Sequence, residues 1–249
     1  WRGHVTALDG TRFWIPSASF PDTRTKIPDW FKKDLPAGMN DYPPKSYGWQ
    51  EPITYFRWVR NERSWMFKAE SGSASLPPIS SLAKFMPDLG TPSAKGAPFP
   101  LNDTWAHHGA NSYYKDYDQA IRRLHGEPES VADYCWKGHL LTADQHRAFF
   151  EAVNHRMWDI TSGFTQWKID ACWPSIQWQI VDWFLKPMPT LYAIRRACEP
   201  LHIQLDPLAR TVQVVNDRPE PAPGLEASAR VLGLDLRTRW ERRARVDPD

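Results

Sequence analysis

Two carboxylates follow strand-like runs, at the end of a strand where catalysis is usually sited. Trp65 to Lys68 read as a short strand, Ala69 and Glu70 follow, and Ser71-Gly72-Ser73 break the run. Gly163 to Asp170 read as another strand with Asp170 at its C-terminal end, and Ala171 to Ser175 form the turn after it. In a (β/α)8 barrel the C-terminal strand ends carry the catalytic groups. A carboxylate held there is placed for catalysis, yet most carboxylates that follow strands are solvated loop groups. The local pattern alone leaves both readings open.

The surrounding elements decide whether such strands exist. Thr11 to Ser17 reads as a strand stopped at Pro16, and Ile53 to Val59 as another. Between them, Phe20 to about Gln50 is a loop holding Pro21, Pro28, Pro36, Pro43 and Pro44 beside Trp30, Tyr42, Tyr47 and Trp49. A loop this long inside a compact domain is either functional or disordered, and its aromatic content favours function. A short helix is expected over Ser80 to Met86 and another over Asp116 to His125, stopped by Gly126. Trp105 to Gly109, with His107 and His108, is a polar-aromatic cluster whose histidines read as loop-stabilising. Ser130-Val-Ala-Asp133 opens the strongest helix signal with a capping-box-like start. Val131, Tyr134, Cys135, Leu141, His146, Phe149, Phe150, Val153 and Met157 then recur near the helical period, to about Trp158. Ile176 to Leu185 reads as helix or extended chain, and Tyr192 to Cys198 as a short helix. From Leu201 onward the alternation is period two, with strands at 201–205, 211–215, 225–231 and 237–246.

The expected fold class is therefore α/β up to Pro200: the second half of a (β/α)8 TIM barrel, about strands 5–8. Part of an all-β, immunoglobulin-like sandwich follows. The expected division is 1–200 and 201–249. A full barrel of this kind takes about 250 residues by itself.

Composition narrows the partners. Lys+Arg 31 against Asp+Glu 29 gives a net charge of +2, which argues against a nucleic-acid or anionic-membrane surface. No apolar run approaches the roughly 18 residues of a membrane span. The 3 cysteines, Cys135, Cys172 and Cys198, form neither a disulfide framework nor a CxxC site. His107-His108 lacks the spacing of zinc ligands, so no metal and no cofactor are expected. The unusual counts are 14 Trp and 23 Pro. Indole is well suited to cover the apolar face of a sugar, and proline-rich loops present it; at least half of these Trp are expected simply to fill a core. The chain opens Trp1-Arg2-Gly3-His4, with neither signal peptide nor initiator Met, and is expected to begin inside a longer protein.

Longer motifs sharpen this. Trp65-Met-Phe-Lys-Ala-Glu70-Ser-Gly, Gly163-Phe-Thr-Gln-Trp167-Lys-Ile-Asp170-Ala-Cys-Trp173-Pro-Ser-Ile-Gln-Trp178-Gln and Cys198-Glu-Pro-Leu-His-Ile-Gln204 resemble glycoside hydrolase family 2, in its exo-β-D-glucosaminidase and β-mannosidase branch. Pro16-Ser-Ala-Ser19 and Asn40-Asp-Tyr-Pro-Pro44 fit the same branch, and the resemblance runs from about Leu8 to Asn216. It implies a retaining β-glycoside hydrolase, with Glu70 at the family's nucleophile position after the seventh strand. Its partner carboxyl would lie about 5–5.5 Å away. The family's acid/base follows the fourth strand, so it is expected upstream of Trp1. Asp9 and Glu51 read as loop carboxylates. The chain is thus expected to be a fragment that is inactive by itself, its partner being the upstream part of the same enzyme.

By the same resemblance Trp167 floors the subsite where the sugar is cleaved, or else fills the barrel core. Asp170 lies near the sugar or serves as a cap, and Trp173 walls the pocket or packs under the last barrel helix. Asp41 and Tyr42, in the proline-rich loop, contact the sugar or its amine. Trp49 and Trp178 are read as structural. The implied substrate is β-linked glucosamine, as in chitosan oligosaccharides, taken from the non-reducing end. β-Mannosidase (endo-acting included) or β-galactosidase-type activity are the alternatives, and the rival class is a non-catalytic carbohydrate-binding protein.

Overall fold

The computed structural model describes residues 2–11, 48–61, 68–110, 112–159 and 161–248. In chain order they form helices α1 (Arg2–Leu8) and α2 (Pro52–Asn61), strand β1 (Lys68–Ser71), and helices α3 (Ile79–Leu82), α4 (Asp103–His107), α5 (Ser112–His125) and α6 (Val131–Asn154). Strand β2 (Phe164–Gln166), helix α7 (Pro189–Ala197) and strands β3 (Leu201–Asp206), β4 (Thr211–Asn216), β5 (Leu225–Leu232) and β6 (Thr238–Val246) complete the order.

Helix α6 is the frame. Ser130 caps it, its Oγ accepting from the Asp133 amide at 3.1 Å, while the Asp133 carboxylate accepts from the Glu129 amide at 3.0 Å. Ser130 thereby satisfies an amide that the first helical turn leaves unpaired, and Asp133 reaches back to the residue before the cap. Buried Tyr134, Cys135, Leu141, His146, Phe149 and Val153 then mark its inner face, as the periodicity predicts. Phe149 stacks on Tyr55 of α2 at 4.7 Å and on Phe164 of β2 at 4.6 Å. One core cluster thereby joins α2, α6 and β2. A second gathers Leu76, Leu82, Met86, Trp105, Tyr117, Tyr134 and Ile176 from α3 to α6 and the segment after β2.

Several expectations are corrected. Ile53 to Val59 is helical, not a strand. Pro52 opens α2 with the fixed φ that suits a first helical turn, and the buried residues are Tyr55, Phe56 and Val59, a helical rather than alternating spacing. The helix expected over 80–86 is α3, which ends at Leu82 and passes into turns. The strand expected to reach Asp170 ends at Gln166. Helix α4 lies in the stretch read only as a cluster; Asn102 caps it, accepting from Thr104 and Trp105. Ile176 to Leu185 is neither helix nor continuous strand: isolated bridges at Gln177 and Val181 stand among bends and turns, with positive φ at Trp178 and Leu185. The strand expected at Thr11 to Ser17 falls, past Thr11, outside the described residues, as do the loop from Phe20 to Tyr47 and the residues Trp65 to Phe67.

β1 and β2 pair in parallel, with an irregularity between Lys68 and Ser71. After Pro200, β3–β4 and β5–β6 are antiparallel hairpins. β3 buries His202, Gln204 and Asp206. Gln204 donates to the Glu151 carbonyl of α6 at 2.7 Å, and the Arg60 guanidinium of α2 meets Asp206 at 2.7 Å. Burial pushes the Asp206 carboxyl up, but the Ala209 and Leu208 amides, His155 and Arg60 outweigh it and hold the group below its ordinary range. Among the described residues, no helix is long and apolar enough to cross a membrane.

Candidate active site

The C-terminal ends of β1 and β2 lie side by side. The Trp167 amide donates to the Ser71 carbonyl at 2.6 Å, and the Ser71 hydroxyl donates to the Thr165 carbonyl at 3.1 Å. Gly72 permits this approach: a Cβ there would lie 2.1 Å from the Trp167 carbonyl oxygen. Glycine is required because the backbones touch, not because of an unusual φ. Glu70 is the residue before Ser71 in β1, so its backbone sits at this junction; its side chain lies outside the described atoms.

Beneath the junction is a buried polar support. The Ser73 hydroxyl donates to Gln145 Oε1 at 2.9 Å, and Gln145 Nε2 donates to the Tyr55 hydroxyl at 2.6 Å and the Gly48 carbonyl at 3.2 Å. One amide of α6 thus ties the segment after β1 to α2. Burial pushes the Tyr55 phenol well up, with Gln145 opposing, so it stays neutral. His139 Nε2 donates to the Leu76 carbonyl at 2.7 Å, and burial holds that imidazole below its ordinary pKa.

The segment that follows β2 carries exposed aromatic rings. Trp167 follows β2 directly and is 47% exposed among the described residues. The Lys168 amide donates to the Trp178 carbonyl at 2.9 Å, and Ala74 bridges to Gln177, so the chain after β2 folds back along the segment after β1. Asp170 is exposed. Trp173 is 39% exposed and stacks on His108, centroids 5.2 Å apart and planes at 26°. His108 Nδ1 donates to the Pro174 carbonyl at 2.7 Å. The structure sets the Trp167 backbone against Ser71, the residue after Glu70, and Asp170 and Trp173 lie further along the same segment. Asp41 and Tyr42 lie outside the described residues. Trp49 is buried with the Arg123 guanidinium 5.3 Å from its ring, in keeping with a structural role. Among the described residues, no cluster of His, Cys, Asp and Glu is suited to a metal ion.

Two supporting residues lie outside the site residues expected from the sequence. Gln145 sits four positions from both Leu141 and Phe149, so the helical period itself placed it on the buried face. The sequence suggests only a loop-stabilising role for His108, and nothing in it points to the partner Trp173.

The parallel pair β1–β2, joined through helices, is an α/β arrangement, and in barrels built this way functional groups gather at the C-terminal strand ends. No family model matches the chain. An exo-β-D-glucosaminidase of Streptomyces avermitilis is 28% identical over 257 residues, 96% of this chain and 28% of the relative. A mannosylglycoprotein endo-β-mannosidase of Lilium longiflorum is 28% identical over 244 residues, 92% of this chain and 23% of the relative. The chain thus spans about a quarter of the length of these curated relatives. Among solved structures, the Amycolatopsis orientalis exo-chitosanase complex with PNP-β-D-glucosamine superposes with a TM-score of 0.67 at 22% identity, covering 84% of this chain and 25% of that one. A β-D-mannosidase from Dictyoglomus thermophilum gives a TM-score of 0.67 at 20% identity, over 98% of this chain and 28% of that one. These structural likenesses speak for the fold. The resemblance read from the motifs, to the exo-β-D-glucosaminidase and β-mannosidase branch of glycoside hydrolase family 2, is borne out by relatives carrying both names.

Proposed function

We propose that this chain supplies the nucleophile side of a retaining β-glycoside hydrolase. It would form the second half of a (β/α)8 barrel, followed from Leu201 by the start of a β-sandwich. The observation that carries the proposal is the position of Glu70, at the C-terminal end of a strand paired in parallel with the strand leading into exposed Trp167. In this reading the Glu70 carboxylate attacks the anomeric carbon and the glycosidic C–O bond breaks. The leaving oxygen takes a proton from an acid contributed by a part of the enzyme outside this chain. That group, now a base, removes a proton from water, and the resulting nucleophile releases the sugar from Glu70. Trp167 floors the cleaved sugar, Trp173 walls the pocket, and Asp170, with Asp41 and Tyr42, meets its polar groups.

The substrate is a β-linked glucosamine unit removed from the non-reducing end. A cationic 2-amino group suits a site with carboxylates such as Asp170 and Asp41. The glucosaminidase names among the relatives support this choice. A β-mannosidase is the second reading, favoured by the Lilium relative and the Dictyoglomus structure. The test is Glu70→Gln in the intact enzyme, assayed on chromogenic β-D-glucosaminide, β-mannoside and β-galactoside. Turnover of the preferred substrate is expected to fall roughly a thousandfold or more while the fold is kept. Near-normal hydrolysis by the variant would remove Glu70 from the mechanism. A parent protein that binds sugar but turns over none of the substrates would instead favour the non-catalytic class.

A further inference from the structure

We infer that His108 is a positioning residue: it fixes the orientation of the Trp173 indole and thereby the width of the sugar subsite. The inference rests on the reading of Trp173 as a pocket wall and adds to it the group that sets that wall.

Trp173 lies in the segment after β2, which contains no helix and no strand ladder of its own before α7. Such a segment holds an indole in place only if something else grips it. His108 grips it in three ways. Its ring stacks on the Trp173 indole at 5.2 Å and 26°. Its Nδ1 donates to the carbonyl of Pro174, the next residue, at 2.7 Å. Its own carbonyl accepts from the Ile176 amide at 3.0 Å. The backbone that follows the indole is therefore tied at two points to one residue.

His108 is itself held firmly. The Phe85 ring meets it at 4.7 Å in an edge contact. It follows α4, which is anchored by fully buried Trp105, edge-on to Tyr134 of α6 at 5.7 Å. Adjacent His107 meets Trp173 edge-on at 5.7 Å. The chain from α6 through Trp105 and His108 to Trp173 is continuous and packed, and it ends in a partly exposed indole. A residue that merely stabilised the loop would not need to stack its ring on that indole.

The test separates the stack from the hydrogen bond. His108→Phe keeps a ring and loses the donor, His108→Asn keeps a donor and loses the ring, and His108→Ala loses both. The protein is labelled with 5-fluorotryptophan, and the Trp173 ¹⁹F resonance is assigned by its disappearance in Trp173→Phe. Without sugar, His108→Ala is expected to shift or broaden that resonance, with His108→Phe intermediate. Affinity for a β-1,4-linked glucosamine disaccharide is expected to fall about threefold to tenfold in His108→Ala, the range that one aromatic contact supplies, and to be partly recovered in His108→Phe. An unmoved Trp173 resonance in the Ala and Asn variants overturns the inference, as does a moved resonance with unchanged affinity while Trp173→Phe binds weakly. If Trp173→Phe binds the disaccharide normally, the subsite reading itself fails, and that outcome is distinct from a failure of His108 to hold the ring. Should His108→Ala not fold, the Phe and Asn variants carry the same comparison.

Discussion

The parallel pair β1–β2 and the antiparallel hairpin β5–β6 both have two strands, but opposite means hold them. β1 and β2 are 4 and 3 residues long, and α3 to α6 separate them in sequence. The chain leaving β1 is sealed: Ser71, Ser73, Ser75 and Leu76 are all buried to 2% exposure or less. β5 and β6 are 8 and 9 residues long, joined by a short turn, with a near-complete ladder. Yet β6 is exposed along almost its whole length. In the first region little backbone pairing is available, so single buried groups fix the geometry. In the second the ladder is local and repetitive, so no one side chain matters much. The candidate site belongs to the first region, where orientation rests on single buried groups rather than on a ladder.

The contrast is broken most directly at Gly72. An alanine there would bring a Cβ to 2.1 Å from the Trp167 carbonyl oxygen, a backbone atom that cannot swing aside. Gly72→Ala is expected to cost about 3 kcal/mol or more, in the upper range for overpacking. It should also disturb sugar binding, because the displaced peptide carries Trp167. Denaturant unfolding and a sugar-binding assay on the same variant test this. A variant of native stability would mean that the strand ends are more compliant than their contacts imply.

The next effect comes from α6, next to the Gln145 support. His146 is fully buried; its Nδ1 donates to the Thr142 carbonyl at 2.9 Å and its Nε2 has no partner. Burial brings its pKa down to about 4, and the Thr142 carbonyl opposes this only in part. The unfolded chain takes up a proton at this imidazole below about pH 6.5, whereas the folded protein resists until about pH 4. The stability it contributes is therefore complete above pH 6.5 and lost as pH falls toward 4. The loss is about 2 kcal/mol between pH 7 and 5. His146→Phe is expected to flatten that part of the stability profile, measured by denaturant midpoints at each pH. An unchanged slope would assign the acid sensitivity to other groups.

The frame of the molecule was legible because helix signals are local. Ser130 and Asp133 announced the start of α6, and its apolar period announced its buried face. The period-two runs after Pro200 likewise gave the four C-terminal strands nearly to the residue. Ile53 to Val59 misled because isoleucine, tyrosine, phenylalanine and valine all favour strands, and that composition outweighed Pro52 and the helical spacing of Tyr55, Phe56 and Val59. At the site, the positions of Glu70 and Trp167 came from long motifs. The His108–Trp173 stack could not be read, because the residues are 65 apart and only tertiary folding brings them together. The period of α6 puts Gln145 on the buried face, but neither it nor Ser73 shows its partner until the fold brings them together.

The smallest expected effect lies on the hairpin. Trp240 pairs across the ladder with Val231, is 48% exposed, and lines a groove of about 360 Å³ with Val212 and Val214 of β4. A cross-strand aromatic pair on an open face contributes about 0.5 kcal/mol. Trp240→Ala is therefore expected to lower stability by about that amount and to leave sugar affinity unchanged, although it deletes the largest side chain of β6. Denaturant midpoints compared with those of Gly72→Ala give the contrast directly. A loss above about 2 kcal/mol would be the size of a buried core truncation. Trp240 would then hold the two hairpins together as a common core, and the C-terminal region would owe its stability to side-chain burial rather than to its ladders.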